Sequence, residues 1–293
     1  MKPERQLAAK LSRILVGLGL TEAAAAGAVF ADAREEVLAV QALNELPAGE
    51  VRVFLPPGGV HSDTPLLIAL DGQSMAAWKL AETIQRLAVA NEITPPLVVA
   101  IAATADRIEE YGLARTLDYA GRGKKAAAFQ RRVLEHVIPA VRQRYGLKAD
   151  PARTAIMGAS LGGLSAFDLA WAHPDVFGAV GVFSGSLWWR GEDGDWRAAQ
   201  RSRLAHRLVR ETAAKPALRL WFEAGTADET DDRDGNGVID AIQDTTELID
   251  ELTAKGFRRD VDVTYHEIAG GQHHESTWAE ALPVFLKWAF PRR

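Results

Sequence analysis

Ser160 lies in the pentapeptide GASLG, a GxSxG pattern in which a serine can act as a nucleophile. Apolar residues 154–157 before it predict a buried strand, and the residues after it predict a helix that runs toward Ala172. A serine between such a strand and helix is exposed at the carboxyl end of the strand, where the helix dipole and the Leu161 amide favour a developing negative charge. The pattern predicts a nucleophile elbow, and a glycine-rich loop that packs or binds phosphate is the alternative.

A serine hydroxyl needs a base to take its proton and a third group to orient that base. The chain offers both groups after Ser160, in the order serine, acid, histidine. Asp228 lies in a GTAD turn just after the predicted strand 218–225, and His273 lies in the loop after the predicted strand 261–266. We therefore predict a triad of Ser160, His273 and Asp228.

Other acids and histidines compete for these roles. Glu223 lies near the end of the same strand as Asp228, but the acid has to sit on a turn that reaches across to the histidine, which favours Asp228. His274 is adjacent to His273, and His266 lies on the preceding strand. One imidazole suffices as the base, so the other two are most simply polar surface groups.

Stabilising an oxyanion requires two N–H groups aimed at one point. The amide of Leu161 supplies one directly after the serine. The turn at Gly72-Gln73 follows the apolar run 66–70, so the Gln73 amide is the natural second donor.

The pattern of elements predicts how these groups are positioned. Strands are predicted at residues 36–42, 51–55, 66–70, 97–102, 154–157, 179–183, 218–225 and 261–266, and helices at 75–91, 126–145, 241–255 and 278–290 as well as after Ser160. The first two strands read as an antiparallel pair at a sheet edge. The remaining strands alternate with helices, which predicts an α/β fold with a mostly parallel central sheet and helices on both faces. Reactive groups then belong at the carboxyl ends of the strands.

Several segments together resemble the putative-esterase group of α/β hydrolases, which includes enterochelin esterases, esterase D, feruloyl esterases and mycolyltransferases. They are LDGQ, PPLVVAIA, RIEEY, VIPAVRQRY, GASLGGLSA, GTAD and GGQHHESTW, and the resemblance runs from about residue 35 to 290. It implies an α/β-hydrolase fold and cleavage of carboxylic esters through an acyl-enzyme, without an organic cofactor. In enterochelin-esterase-like members a histidine five residues before a tryptophan is the base, which matches His273 before Trp278. The GTxD acid matches Asp228, and LDGQ looks like the oxyanion turn.

The resemblance leaves two other functions open. An acyltransferase would use the same groups but pass the acyl group to an alcohol instead of water. A non-catalytic carbohydrate- or calcium-binding module on a hydrolase scaffold is the alternative of another class. No substrate-recognition domain is evident in front of the predicted catalytic domain, a departure from the siderophore esterases.

An acidic segment after Asp228 follows the pattern of a calcium loop. Oxygens at alternate positions, a glycine at the sharp turn and a backbone carbonyl suit a hard cation. Gln243 replaces the glutamate expected at the twelfth position. The segment predicts a structural Ca²⁺, with a solvated acidic loop as the alternative. The predicted ligands are Asp232, Asp234, Asn236, the carbonyl of Val238, and Asp240.

Two pairs of residues near the predicted strand ends also attract interest. Trp188 and Trp189 follow the strand 179–183 and either line a substrate pocket or pack in the core. Arg107 and Glu110 are predicted to hold a loop by an ion pair.

Composition bounds the remaining possibilities. Of 293 residues, 47% are hydrophobic and 25% charged, as expected for a globular α/β protein. The net charge is -5 without a long basic run, which argues against nucleic acid as a partner. The partner that the predicted triad and the resemblance imply is a small-molecule ester. No stretch is long enough to span a bilayer.

The amino terminus sets the predicted domain boundary and location. Basic residues before the apolar run 14–20 imitate a signal peptide, but Thr21 and Glu22 interrupt the run. We predict a helical extension over residues 1–34, a catalytic domain over 35–293, and a cytoplasmic location, with secretion or a periplasmic location as the alternative.

Overall fold

The computed structural model describes residues 34–43 and 45–292, and the helices predicted for the amino-terminal extension lie outside them. The described chain forms one eight-stranded sheet in the order β1-β2-β4-β3-β5-β6-β7-β8. The strands are β1 Glu35–Val40, β2 Gly49–Phe54, β3 Leu66–Leu70, β4 Leu97–Ile101, β5 Thr154–Ala159, β6 Ala179–Phe183, β7 Arg219–Ala227 and β8 Val263–Gln272.

Strand direction agrees with the sequence pattern. β1 pairs antiparallel with β2 at the sheet edge, and β2 pairs antiparallel with β4. All remaining pairs, from β3 and β4 through β7 and β8, are parallel. Because β3, β4, β5 and β6 are buried at every position, their apolar runs are continuous rather than alternating. The predicted mostly parallel sheet is confirmed.

Helices cover both faces of this sheet. The α-helices are Leu80–Val89, Arg107–Glu110, Ala126–Arg131, Ile138–Tyr145, Leu161–Ala172, Trp196–Arg201, Leu204–Glu211, Asp240–Ala254 and Glu275–Ala289. The helix predicted over 75–91 begins only at Leu80, because Lys79 before it adopts a left-handed conformation with φ 53°. The helix predicted over 126–145 contains a π-helical turn, Arg132–Val137, just before Pro139, which lacks the amide needed for a regular helical hydrogen bond.

Successive residues of a strand divide between two hydrophobic cores. On β7, Leu220 and Phe222 belong to the core on one face, whereas Trp221 belongs to the core on the other. This alternation is the period of two that a strand imposes. The second core is rich in aromatic rings. The centroid of the Phe183 ring lies 4.9 Å from the ring centroids of both Trp78 and Trp221. This core packs against β6, β7 and β8 through Phe183, Trp221 and Ile268.

The edge strand β1 carries acidic residues at its outer end. Glu35 accepts a hydrogen bond of 2.8 Å from Arg52 of β2, and Glu36 accepts one of 2.7 Å from Arg144. Val37, the next residue of the strand, is 53% exposed. The edge is thus closed by ion pairs rather than by apolar packing.

The ends of β7 and β8 approach each other closely through glycine. A Cβ at Gly225 would collide with the backbone of Gly271, and the register of the two strands shifts between Gly225 and Ala227. We expect Gly225→Ala to lower the free energy of unfolding by about 1–3 kcal/mol, the usual cost of overpacking. Urea denaturation measures the change. Gly49→Ala is the control, because a Cβ there meets nothing within 4 Å. An equal midpoint for the two variants would contradict the close approach.

Candidate active site

Ser160 lies between β5 and the helix Leu161–Ala172, with φ 55° and ψ -125°. A non-glycine residue in this region is strained, so the surrounding contacts must hold it there. The Ser160 amide donates to the Phe183 carbonyl (2.9 Å), and the Ser186 amide donates to the Ser160 carbonyl (3.0 Å). Gly158 is required beneath the turn, because a Cβ there would collide with the Gly162 backbone. The serine therefore projects from a tightly constrained strand-to-helix turn.

Ser160 and His273 line the same cleft, whose volume is about 250 Å³. The hydrogen-bond partner of Ser160 Oγ is Ser186 Oγ at 3.2 Å. Within residues 34–43 and 45–292, no hydrogen bond joins Ser160 Oγ to His273. In this conformation Ser160 Oγ is therefore engaged by Ser186 rather than by His273.

Asp228 lies beside the His273 imidazole. Its Oδ1 atom is 3.5 Å from His273 Nδ1, and its side chain is almost completely buried, whereas that of His273 is 42% exposed. Ser184 Oγ donates to the same Oδ1 atom at 3.0 Å, and Trp278 Nε1 donates to Ser184 Oγ at 2.9 Å. The Trp278 ring also packs edge-on against the imidazole, with 5.3 Å between centroids. The His273 imidazole thus has its Nδ1 atom toward Asp228 and one edge of its surroundings formed by the Trp278 ring.

The competing histidines occupy other places. His274 is the N-cap of the helix Glu275–Ala289, where its Nδ1 atom accepts from the Ser276 amide at 3.2 Å. His266 lies on β8 and stacks on Trp221, with 6.0 Å between ring centroids. Of the three histidines weighed from the sequence, His273 is the one that pairs with Asp228.

The competing acid Glu223 is fully buried within β7. Neither of its carboxyl oxygens has a hydrogen-bond partner among the described residues. Burial raises the pKa of Glu223 to about 8, and the negative charge of Asp228 adds to the effect. Glu223 is therefore protonated at neutral pH.

The predicted oxyanion turn follows β3. Asp71 is left-handed with φ 55°, and Gly72–Ser74 forms one turn of 3₁₀-helix. A Cβ at Gly72 would lie 2.6 Å from the Ala100 carbonyl carbon, so glycine alone allows the turn to pack on β4. Gln73 lines the cleft with Ser160, and its side chain is held by Asp71 Oδ1 (3.0 Å) and the Ala103 amide (3.1 Å).

Two backbone amides, those of Leu161 and Gln73, are the predicted oxyanion donors. Leu161 is the first residue of its helix, where an amide has no intrahelical acceptor. Gln73 lies in the first turn of its 3₁₀ segment. No backbone hydrogen bond of the described residues outside the regular elements uses either amide.

Arg107 anchors the Gly72-Gln73 turn, a role that the sequence did not reveal. Its guanidinium donates two hydrogen bonds of 2.7 Å to the two carboxylate oxygens of Asp71. Asp71 is further fixed because its amide donates to Tyr111 Oη at 3.1 Å. The predicted ion pair between Arg107 and Glu110 is wrong. Glu110 is buried and instead accepts from the Thr104 amide and hydroxyl.

The two tryptophans after β6 differ in environment. Trp189 is fully buried in the core. Trp188 is half-buried and lines a second cavity of about 480 Å³ together with Arg190 and Glu229. The guanidinium of Arg122 lies 5.4 Å from the centroid of the Trp188 ring. One tryptophan is thus core and the other is available to a ligand.

The acidic loop after Asp228 is organised by its own side chains. Asp232 accepts hydrogen bonds from three loop amides, including that of Gly237 at 2.8 Å. Asp240 forms an ion pair of 2.9 Å with Arg233, and Gln243 donates to Asp234 at 2.9 Å. Among the described residues, no group of three or more His, Cys, Asp or Glu side chains is arranged to hold a metal ion. The Ca²⁺ site stays a prediction, and its ligands would include Asn236 Oδ1 and the Val238 carbonyl.

Comparison with known proteins assigns the family. The family described as "Putative esterase" matches residues 48–289. The chain belongs to this family, whose members have the α/β-hydrolase fold. Family membership and relatives that are esterases support a carboxylic ester hydrolase.

Relatives with similar sequences include proteins of different length. An uncharacterized protein of Bacillus subtilis, YbbA, is 24% identical over 260 residues, covering 85% of this chain and 96% of the relative. The iron(III) enterobactin esterase of Escherichia coli K12 is 28% identical over 182 residues, covering 60% of this chain and 40% of that enzyme. This chain thus matches less than half the length of the enterobactin esterase.

Solved structures show the same fold. The enterobactin esterase of Shigella flexneri superimposes with a TM-score of 0.65 at 20% identity, covering 87% of this chain and 59% of that one. A ferulic acid esterase gives a TM-score of 0.66 at 16% identity, covering 88% of this chain and 98% of that one.

Within the part of the chain that the structure describes, no helix is both long enough and apolar enough to cross a bilayer.

Metal removal tests the predicted Ca²⁺ site. If the ion cross-links the loop around Asp232 and Asp234, EDTA should lower the melting temperature and added Ca²⁺ should restore it, because an ion that binds only the folded state stabilises it. Differential scanning calorimetry of the purified protein provides the measurement. Asp234→Asn serves as the comparison, and we expect it to reduce the response to EDTA. An identical melting curve with and without EDTA would show that the loop closes without the ion.

Proposed function

We propose that the protein is a serine esterase that cleaves carboxylic esters through an acyl-enzyme. The observation that carries the proposal is the convergence of Ser160 and His273 on one cleft, with Asp228 Oδ1 3.5 Å from His273 Nδ1. These three residues come from the ends of three different strands, β5, β7 and β8. A core-packing role for all three does not account for a strained serine, an exposed imidazole and a buried acid at the same edge of the sheet.

Acylation follows from this arrangement. His273 Nε2 takes the proton of Ser160 as Oγ attacks the ester carbonyl, and Asp228 stabilises the imidazolium that forms. The amides of Leu161 and Gln73 donate to the oxyanion of the tetrahedral intermediate. Collapse of the intermediate breaks the ester bond, and His273 returns its proton to the departing alcohol.

Deacylation reverses the roles with water as the nucleophile. The imidazole is 42% exposed, so water can reach Nε2 once the alcohol has left. His273 removes a proton from this water as it attacks the acyl carbonyl, and the proton then passes to Ser160 Oγ. This exposure favours hydrolysis over transfer to an alcohol acceptor, which would require water to be kept out.

The substrate class is a small carboxylic ester. The cleft of about 250 Å³ accommodates the reacting group, and its walls combine Trp78 and Trp278 with polar groups of Gln73 and Arg107. Relatives are described as enterobactin and ferulic acid esterases. We carry over from them the ester bond, and not the siderophore or ferulate.

An activity-based probe tests the nucleophile. A fluorophosphonate should add once to the parent protein, because it reacts with an activated serine, and should not add to Ser160→Ala. Intact mass spectrometry detects the adduct. Ser160→Ala should also lose hydrolysis of p-nitrophenyl acetate by on the order of a million-fold in kcat. Ser62→Ala, at an exposed serine, is the matched control and should be labelled like the parent. Labelling of Ser160→Ala, or no labelling of the parent, would refute the proposed nucleophile.

The pair of hydrogen bonds from Arg107 to Asp71 predicts a second effect on activity. Arg107→Lys keeps the positive charge but loses the two-pronged hydrogen bond that orients Asp71 and the adjoining turn. We expect kcat for p-nitrophenyl acetate to fall about tenfold, which is below the loss of a complete oxyanion donor. Arg131→Lys, at an exposed arginine on the helix Ala126–Arg131, should leave kcat unchanged. Equal kcat values for the two variants would show that the Arg107–Asp71 pair does not position the turn.

A further inference from the structure

Glu223 presents an energetic problem that the catalytic mechanism leaves unsolved. Its side chain is completely buried, and its two carboxyl oxygens have no hydrogen-bond partner among the described residues. An unpaired buried carboxylate is costly, so such a group either binds a cation or keeps its proton. No lysine or arginine is among the groups that act on Glu223.

Asp228 also has a buried carboxylate oxygen without a hydrogen-bond partner among the described residues. Its Oδ1 atom is served by Ser184 Oγ at 3.0 Å and lies beside His273 Nδ1, whereas its Oδ2 atom is buried without a partner. Ser184 is adjacent to both acids, because its amide donates to the Glu223 carbonyl at 2.8 Å. A single proton on Glu223 can satisfy one of its own carboxyl oxygens and the unpaired Oδ2 atom of Asp228.

The charged groups around Glu223 agree with one shared negative charge. On β8, His266 pairs in register with Glu223, and Tyr265 precedes it. Burial raises the pKa of Tyr265, with the charge of Glu267 adding to the effect, so the phenol is neutral. From β6, Phe183 pairs in register with Glu223 and brings no charge.

The loop beyond the strand ends contributes the remaining charges. Burial and the charge of Asp228 raise the pKa of Glu223, whereas the hydrogen-bonding groups of Ser184, which lies beside both acids, lower it. Ser184 Oγ donates to Asp228 Oδ1, and His273 Nδ1 lies 3.5 Å from the same atom, so we place the negative charge of the pair on Asp228. Trp278 donates to Ser184 and is uncharged. Burial together with the charge of Asp228 raises the pKa of Glu223 to about 8, in agreement with a protonated carboxyl at neutral pH.

We infer that Glu223 is a positioning residue whose protonated carboxyl donates a hydrogen bond to Asp228 Oδ2 and so fixes the acid that orients His273. The inference rests on the proposed function for its effect on catalysis. No covalent bond changes, and the proton stays on Glu223 through the reaction. Ionisation of Glu223 removes the donor and places a second negative charge beside Asp228, so activity should fall as the pH rises through about 8.

Two substitutions separate donation from simple packing. Glu223→Gln keeps the size and an N–H donor but cannot ionise, whereas Glu223→Leu keeps the burial and removes the donor. At pH 7 we expect Glu223→Gln to retain kcat within about threefold, and Glu223→Leu to lose about tenfold, since a hydrogen bond to a charged group is stronger than a neutral one. Glu211→Gln, at a 70% exposed side chain, is the matched control.

The pH profile supplies a readout that packing alone would not change. Initial rates of p-nitrophenyl acetate hydrolysis between pH 6 and 9.5 should show a fall near pH 8 in the parent and in Glu211→Gln, and no such fall in Glu223→Gln. A fall of the same size and midpoint in Glu223→Gln would overturn the inference. So would equal kcat values for the Gln and Leu variants at pH 7.

Thermal stability tests the same proton without reference to activity. The pKa of Glu223 rises from 4.5 for the ordinary group to about 8 in the folded protein, so the folded state binds more protons than the unfolded state between these values. Stability contributed by this group is therefore complete below 4.5 and lost progressively as the pH rises to about 8. The melting temperature of Glu223→Gln minus that of the parent should increase from pH 5 to pH 8 and then level off. A constant difference would overturn the inference.

This comparison also separates the two proposals. If the fluorophosphonate does not label Ser160, the proposed esterase function fails, but the melting series still decides whether Glu223 holds its proton beside Asp228. If Ser160 is labelled and the melting difference stays constant, the esterase function stands and the role of Glu223 falls.

Discussion

The hydrogen bond from Trp278 Nε1 to Ser184 Oγ joins the segments that must meet at the edge of the sheet where the candidate active site lies. Ser184 follows β6, Trp278 belongs to the last helix, and Ser184 in turn holds Asp228 at the end of β7. The same tryptophan ring supports His273. Because the indole is rigid and its ring packs against Trp78, one side chain supports both the proposed acid, through Ser184, and the proposed base.

The other half of the site depends on close backbone contacts. Ser160 occupies a strained turn because glycine at position 158 lets the helix approach its strand, and Gly72 lets the Gly72-Gln73 turn approach β4. The ion pair between Arg107 and Asp71 then holds the residue that precedes that turn. Backbone packing positions the proposed nucleophile and the proposed oxyanion donors, whereas side-chain contacts position the proposed base and acid.

Much of the fold could be predicted from the sequence because strands buried on both faces have continuous apolar runs that stop at polar turns. β3 and β6 have the predicted limits for this reason. β8 differs, since it continues through Gly270 and Gly271 to Gln272, where the glycines suggested a loop. The close packing of Gly225 on Gly271 allows these residues to remain paired, and that contact depends on the partner strand.

The candidate site also contains residues that could be predicted from the sequence and contacts that could not. Residues directly after strands, such as Asp228 and His273, could be chosen because parallel strands bring their carboxyl ends to one edge. The partners of those residues could not be chosen. Ser184 and Trp278 are 94 positions apart, and the Asp71 partner of Arg107 is 36 positions away, so both contacts depend on strand order and register rather than on local pattern.

The acidic end of β1 has a consequence for self-association. An edge strand presents amides and carbonyls that can pair with the edge of another molecule, and such pairing can propagate into aggregates. In the described chain, two copies that met along β1 in antiparallel or parallel register would have to accommodate Glu35 and Glu36, whose charges are already satisfied by Arg52 and Arg144. Breaking these ion pairs, or burying them, opposes edge-to-edge growth of the sheet, although Val37 offers an exposed apolar contact at the same place. Within the described residues, the ion pairs on β1 thus oppose extension of the sheet between molecules.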